Sequence, residues 1–148
     1  MSMFHSFNIS ASGMSAERYR MDIMAENLAN ANTTRTKDGT PYRRKVVTFE
    51  ERPENARTFS SFLGSASSRF QGQGVRVGKV VEDTWTQMNM VYDPAHPDAD
   101  ENGYVTYSNV NSITEMTNLI DASRAYEANA TAFNASKSIA MKGLEMAQ

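Results

Sequence analysis

The sequence predicts a mainly α chain with a small β region. Long N- and C-terminal helices form a coiled-coil bundle within and between subunits, and an irregular, β-containing middle separates them. Three observations lead there. Apolar residues near both ends recur at alternating steps of four and three, the period of one helix face. From Ser112 to about Met146 there is no proline, and glycine occurs only at Gly143. Between the ends lie glycine, proline and β-branched clusters that favour turns and short strands. The divisions fall at residues 1–34, 35–110 and 111–148.

In the first division Phe7, Ala11, Met14, Arg18, Met21, Ala25 and Leu28 line one face, and Ala16, Tyr19 and Ile23 start a second. Gly13 inside this helix costs about 1 kcal/mol relative to alanine. The helix should stop near Asn30-Ala31-Asn32-Thr33-Thr34, where short polar side chains compete for backbone hydrogen bonds.

The middle opens with a turn signal, Lys37-Asp38-Gly39-Thr40-Pro41, followed by a strand over Tyr42 to Phe49. Residues Glu50 to Gly74 have no clear period and read as a loop or mobile insertion. Val75 to Val81 reads as a second strand, with Trp85 and Val91 close behind, and Tyr92 to Gly103 as a turn region.

The C-terminal division is the clearest. Ser112-Ile113-Thr114-Glu115 has the form of a capping box, with Ser112 as cap and Glu115 reaching back. A helix of roughly 34 residues would span about 50 Å, longer than a small globular domain accommodates. It carries two stripes. One is bulky, with Met116, Leu119, Tyr126, Ala130, Phe133, Ala140 and Leu144, interrupted by Ser123 and Lys137; the other is small, with Ala125, Ala128, Ala132, Ala135 and Ile139. Bulky residues interlock with a partner's grooves, and alanines let a helix approach closely.

One N-terminal helix can cover only one stripe. The other stays wet, at about 25 cal/mol per Å² left exposed, unless a neighbouring subunit covers it. The plainer reading is a helical hairpin whose alanines simply face solvent, since alanine is a good helix former. The residues expected to pack helices are Met14, Met21, Leu28, Met116, Leu119, Tyr126, Ala128, Ala132, Phe133, Ala135 and Leu144. Helices without tertiary packing are marginal, so the ends of an isolated monomer should be largely disordered.

Composition narrows the function classes. The net charge of -2 gives no general attraction to nucleic acid or acidic membranes, and the basic cluster Arg35, Lys37, Arg43, Arg44, Lys45 reads as an intersubunit ion-pair surface or a solvated strand face. The absence of cysteine removes disulfides, thiolate metal sites and cysteine nucleophiles. No stretch is long and apolar enough to span a membrane, and Met1 to Asn8 lacks the pattern of a cleavable secretory signal.

Catalytic and ligand motifs are weak. His5 lies in a terminus expected to be mobile and His96 in a turn between prolines, without metal-ligand spacing. No serine sits in a nucleophile elbow, and Glu50-Glu51 and Glu82-Asp83 read as solvated charge. The segment from Asp98 to Asn109 matches the first half of a calcium loop, but Asn109 stands where a bidentate glutamate belongs. An acidic turn bonding its own backbone fits better. Gly72, Gly74 and Gly78 are misplaced for a dinucleotide fingerprint. The expectation is no enzyme, no cofactor and no metal.

The two ends carry a signature. Ser12-Gly13-Met14-Ser15-Ala16-Glu17-Arg18, followed by Ala25-Glu26-Asn27-Leu28-Ala29-Asn30-Ala31-Asn32-Thr33, resembles the N-terminal motif of the bacterial flagellar rod and hook axial proteins. Glu115-Met116-Thr117-Asn118-Leu119-Ile120-Asp121-Ala122-Ser123-Arg124-Ala125-Tyr126-Glu127-Ala128-Asn129 resembles their C-terminal motif. The insertion Thr34 to Thr40 before Pro41-Tyr42-Arg43-Arg44-Lys45, with Val91 to Asp100 and Gly103-Tyr104-Val105, resembles the rod members of that family.

The resemblance implies a structural rod subunit, exported through the flagellar type III apparatus without a cleaved signal. Its terminal helices would pack with copies of itself and other rod proteins into a tube that crosses the periplasm and transmits torque. It implies no nucleic-acid partner and no membrane span. The competing expectation is a secreted helical-hairpin adaptor that seizes a single partner.

Overall fold

The computed structural model describes residues 3–52 and 72–146. Its elements run α1 (Met3–Ala29), β1 (Lys45–Glu51), β2 (Val75–Glu82), β3 (Asn89–Tyr92), β4 (Tyr104–Tyr107) and α2 (Ser112–Glu145). Two long helices flank two small antiparallel sheets, so the chain is mainly helical with a small β part. Most of the loop expected over residues 50–74, namely 53–71, lies outside the described residues.

The helices pair antiparallel, so the ends expected to be largely disordered in a lone subunit are here helical and packed on each other, each supplying the tertiary contact the other needs. Phe7 meets Phe133, with ring centroids 5.0 Å apart, Gly13 faces Asn129, and Asn27 bonds Glu115. The buried line of α1 is Ser10, Gly13, Ala16, Met24 and Asn27. It lies one residue before most of the expected face: Phe7, Ala11, Met14, Met21 and Leu28 are half-buried flanks, and Arg18 and Ala25 are exposed. Small residues explain the rotation, because they let α2 come close. An added Cβ on Gly13 would stand 2.7 Å from Asn129 Oδ1, so the glycine leaves room for the Asn129 side chain. Gly13→Leu should therefore destabilise the hairpin by about 1–3 kcal/mol through overpacking, read as a lower urea midpoint in circular dichroism.

Because Phe7 faces Phe133 so near the start of α1, the last two turns of α2 run past it. Met141 to Met146 are exposed throughout. His5 lies within α1 and is half-buried, so the expected mobile start is a helical turn.

The N-terminus of α2 differs from the expected capping box. Asn111 is the cap: its Oδ1 accepts from the backbone N–H of Ile113 at 3.0 Å and Thr114 at 3.1 Å. Ser112 is the first helical residue. Asn111 has extended backbone and a side chain short enough to reach the second and third amides, and Glu115 is drawn into the interior instead.

The first sheet pairs β1 with β2, from Lys45 opposite Glu82 to Glu51 opposite Val75, with an irregularity between Val47 and Phe49. There the Thr48 hydroxyl accepts from Lys79 N at 3.0 Å and donates to Lys79 O at 3.1 Å. Tyr42, expected to begin the strand, precedes it and is buried. The second sheet pairs β3 with β4, Val91 opposite Val105. Gly74, at φ 89°, tucks the start of β2 against Ser12, whose hydroxyl accepts from Val75 N at 3.1 Å. The wider core is thin: Ala16, Met24, Tyr42, Val105 and Ala122 are the only buried apolar side chains among the described residues.

Candidate assembly interface

With so little apolar core, a buried polar cluster joins the helices to the middle. Asn27 and Glu115 are each 1% exposed. Asn27 Nδ2 donates to Glu115 Oε2 at 3.0 Å and to Lys45 O at 2.8 Å. Its Oδ1 accepts from Tyr42 Oη and Lys45 N, both at 2.9 Å. Arg44 Nε donates to Glu115 Oε1 at 2.7 Å, and its guanidinium also lies 3.7 Å from Asp83. Asn109 completes the frame, accepting from Arg44 N at 2.8 Å and donating to Asp83 O at 2.9 Å. Satisfied networks of this kind fix one arrangement of the elements that supply them.

Two ionisable groups register the cluster. Burial, then the carboxylates of Glu26, Glu115 and Glu82, pushes the Tyr42 hydroxyl up to about 12. The hydroxyl and N–H of Thr86, the Trp85 N–H and the Arg44 charge hold the Asp83 carboxyl below its ordinary value. For Tyr42 the folded state keeps its proton longer than the unfolded chain. Its contribution is thus complete below about pH 10 and is lost as pH rises towards about 12. In an alkaline titration by absorbance, one of the six tyrosines should ionise only near pH 12. That late phase should disappear in Tyr42→Phe and move to about pH 10 in denaturant.

Sequence reasoning missed this cluster, although Asn27 and Glu115 both stand within the quoted end motifs. Neither residue lies on an expected apolar stripe, so periodicity carried no signal for the pair. The basic cluster also differs from expectation. Arg44 is held inside the subunit by Glu115 and Asp83, and Lys45 pairs with Glu26 at 2.6 Å. Arg35 makes a looser pair with Asp98 at 3.8 Å.

The expected helix-packing residues divide. Met14, Met21, Leu28, Leu119 and Phe133 are half-buried between α1 and α2 or at the edge of their seam. Met116, Tyr126 and Leu144 are exposed, although they were grouped with Leu119 and Phe133. Ala128, Ala132 and Ala135 are exposed, as is Ile139 at 72%. Near its start α2 also exposes Ile113 and Ile120, residues outside either expected stripe. The outer face of α2 is bulky at Ile113 and Ile120, small at Ala128, Ala132 and Ala135 and bulky again at Ile139, and none of the described residues covers it.

The acidic turn is self-bonded. Asp93 Oδ1 accepts from Ala95 N at 3.2 Å, and Asp100 Oδ1 from Asn102 N at 2.9 Å and Tyr104 N at 2.8 Å. Asp98 Oδ2 accepts from the Thr34 hydroxyl at 2.8 Å. Among the described residues no group of three or more histidine, aspartate or glutamate side chains could hold a metal ion, and no helix is long and apolar enough to cross a membrane.

Two long end helices, the second exposed along its outer face among the described residues, frame a small β middle, an elongated helical class of chain. Residues 7–37 match the family model described as "Flagella basal body rod protein". Residues 101–146 match the one described as "Flagellar basal body rod FlgEFG protein C-terminal". Three relatives each carry the name flagellar basal-body rod protein FlgC. That of Bacillus subtilis is 47% identical over 99% of both chains. That of Borreliella burgdorferi is 42% identical over 100% of this chain and 99% of its own, and that of Salmonella typhimurium 36% over 100% of both. The chain belongs to the flagellar basal-body rod protein FlgC family. It is accordingly a structural subunit of the flagellar basal body, and the single-partner adaptor is not favoured.

Proposed function

We propose that the chain builds the rod by packing α1 and α2 against neighbouring copies and other rod proteins. Residues 1–34 and 111–148 form the axial core, and residues 35–110 dress its outside. The subunit leaves the cytoplasm through the flagellar type III export apparatus without a cleaved signal. It then joins a periplasm-spanning shaft that carries motor torque, and it has no catalytic role.

One observation carries this reading: a helix of 34 residues whose outer face, from Ile113 through Ala128, Ala132, Ala135 and Ile139, is exposed in the single subunit. Water on such a surface costs about 25 cal/mol per Å², and a tube of helices removes it. Helices of adjacent subunits can approach closely over the alanines and interlock over the isoleucines and methionines.

Ending the chain after Lys137 removes the turns of α2 that overhang α1. The shortened protein should still be exported and still form the α1–α2 hairpin, yet assemble no rod. Swarming on soft agar and basal-body preparations check this. Motile cells with normal rods would contradict the proposal.

A further inference from the structure

Gly103 is imposed by the fold. Its φ is 80°, a conformation that side chains rarely adopt. An added Cβ would stand 3.0 Å from the Tyr92 ring and 3.2 Å from Pro94 Cβ. The residue before it is Asn102, exposed at the tip of the acidic turn, and the two form the only asparagine–glycine pair in the sequence. That pairing carries a chemical hazard. Glycine has no side chain to shield its backbone nitrogen, which, once it has lost its proton to solvent base, can attack Asn102 Cγ. The new N–C bond closes a succinimide, and the side-chain nitrogen leaves as ammonia. Water then opens the ring to aspartate or isoaspartate, and nothing is oxidised or reduced.

The folded turn withholds the nucleophile. Gly103 N donates to Asp100 O at 3.0 Å, so its proton is engaged and it points into the turn. The Asp100 carboxylate locks that turn from within: Oδ1 accepts from Asn102 N at 2.9 Å and from Tyr104 N at 2.8 Å. Bonds to a charged acceptor are the stronger kind. Asp100 N donates to Tyr104 O at 2.9 Å, and Gly103 O accepts from Asp93 N at 2.9 Å. Both sides of Asn102 are therefore pinned, and ring closure has to break the turn first.

Either product would damage the turn. Aspartate adds a carboxylate next to Asp100 and Glu101, and isoaspartate lengthens the backbone by a methylene where these bonds meet. Val105, fully buried, lies just beyond. We infer that Asn102 is a latent deamidation site that the Asp100 carboxylate keeps unreactive.

The purified full-length chain is incubated at mildly alkaline pH, and deamidation is located residue by residue by tandem mass spectrometry. Wild type should deamidate at Asn102 slowly when native and at least about tenfold faster in urea. Asp100→Ala, still native, should deamidate there about tenfold faster than wild type, the rate equivalent of about 1.4 kcal/mol. Asp100→Asn keeps an oxygen acceptor and should fall between the two. Asn102→Gln serves as the blank. Asn111, which precedes Ser112 and caps α2, is the internal control and should stay slow in every native sample.

A native wild-type rate equal to the rate in urea would overturn the protection by the fold. An Asp100→Ala rate equal to that of wild type would overturn the role of the carboxylate. Equal acceleration at Asn111 would assign the effect to global unfolding and would likewise contradict a local guard.

Discussion

Glu115→Ala should lower the unfolding free energy of the chain by about 3 kcal/mol, the lower end for breaking a buried ion pair. The carboxylate is 1% exposed and accepts from both Asn27 and Arg44. Its removal leaves the Asn27 amide short of one acceptor and the Arg44 charge facing a cavity. Arg44 keeps a quarter of its side chain exposed and retains Asp83, which holds the cost to that lower end. Single domains are stable by only about 5–15 kcal/mol, so the loss is a large share of the total.

Urea unfolding followed by circular dichroism measures it. The double variant Arg44→Met/Glu115→Leu should recover much of the loss, because an apolar pair of similar size removes the stranded charge. A Glu115→Ala loss under about 1 kcal/mol would mean that the cluster contributes little to holding the middle on the helices.

The second large effect falls on assembly with stability untouched. Ala128→Leu and Ala132→Leu add bulk at exposed positions of α2. Surface changes away from special features usually stay within about 0.5 kcal/mol, so each variant should fold and be exported as before. Against a neighbouring helix the same leucine overpacks a site shaped for a methyl group, and rods should fail to form. Soft-agar motility and basal-body yield are the readouts, with export into the medium as the control. Normal swarming in both variants would count against a close-packed interface over the alanines.

The helix ends and the α-rich class were legible because periodicity, the lack of proline and the asparagine-rich stop act locally. Ser112 to about Met146 was expected to be helical, and Ser112–Glu145 is. The seam was harder. A hydrophobicity pattern ranks Ser10, Gly13 and Asn27 as outward, yet close packing selects small residues, and Asn27 enters the interior with all its hydrogen bonds made. Glu115 shows the same limit. By spacing it is a capping residue; only the chain folding back brings Asn27 and Arg44, distant in sequence, to its carboxylate. Trp85 was visible as an aromatic after a strand, but its exposure depends on Asn109 and Asp83 meeting across the fold.

The outer face of α2 can be seen directly by electron cryomicroscopy of basal bodies containing this chain. The account predicts that Ala128, Ala132, Ala135 and Ile139 lie against helices of adjacent subunits, with no water layer between. If those residues border open solvent while the strands alone join one subunit to the next, the explanation fails.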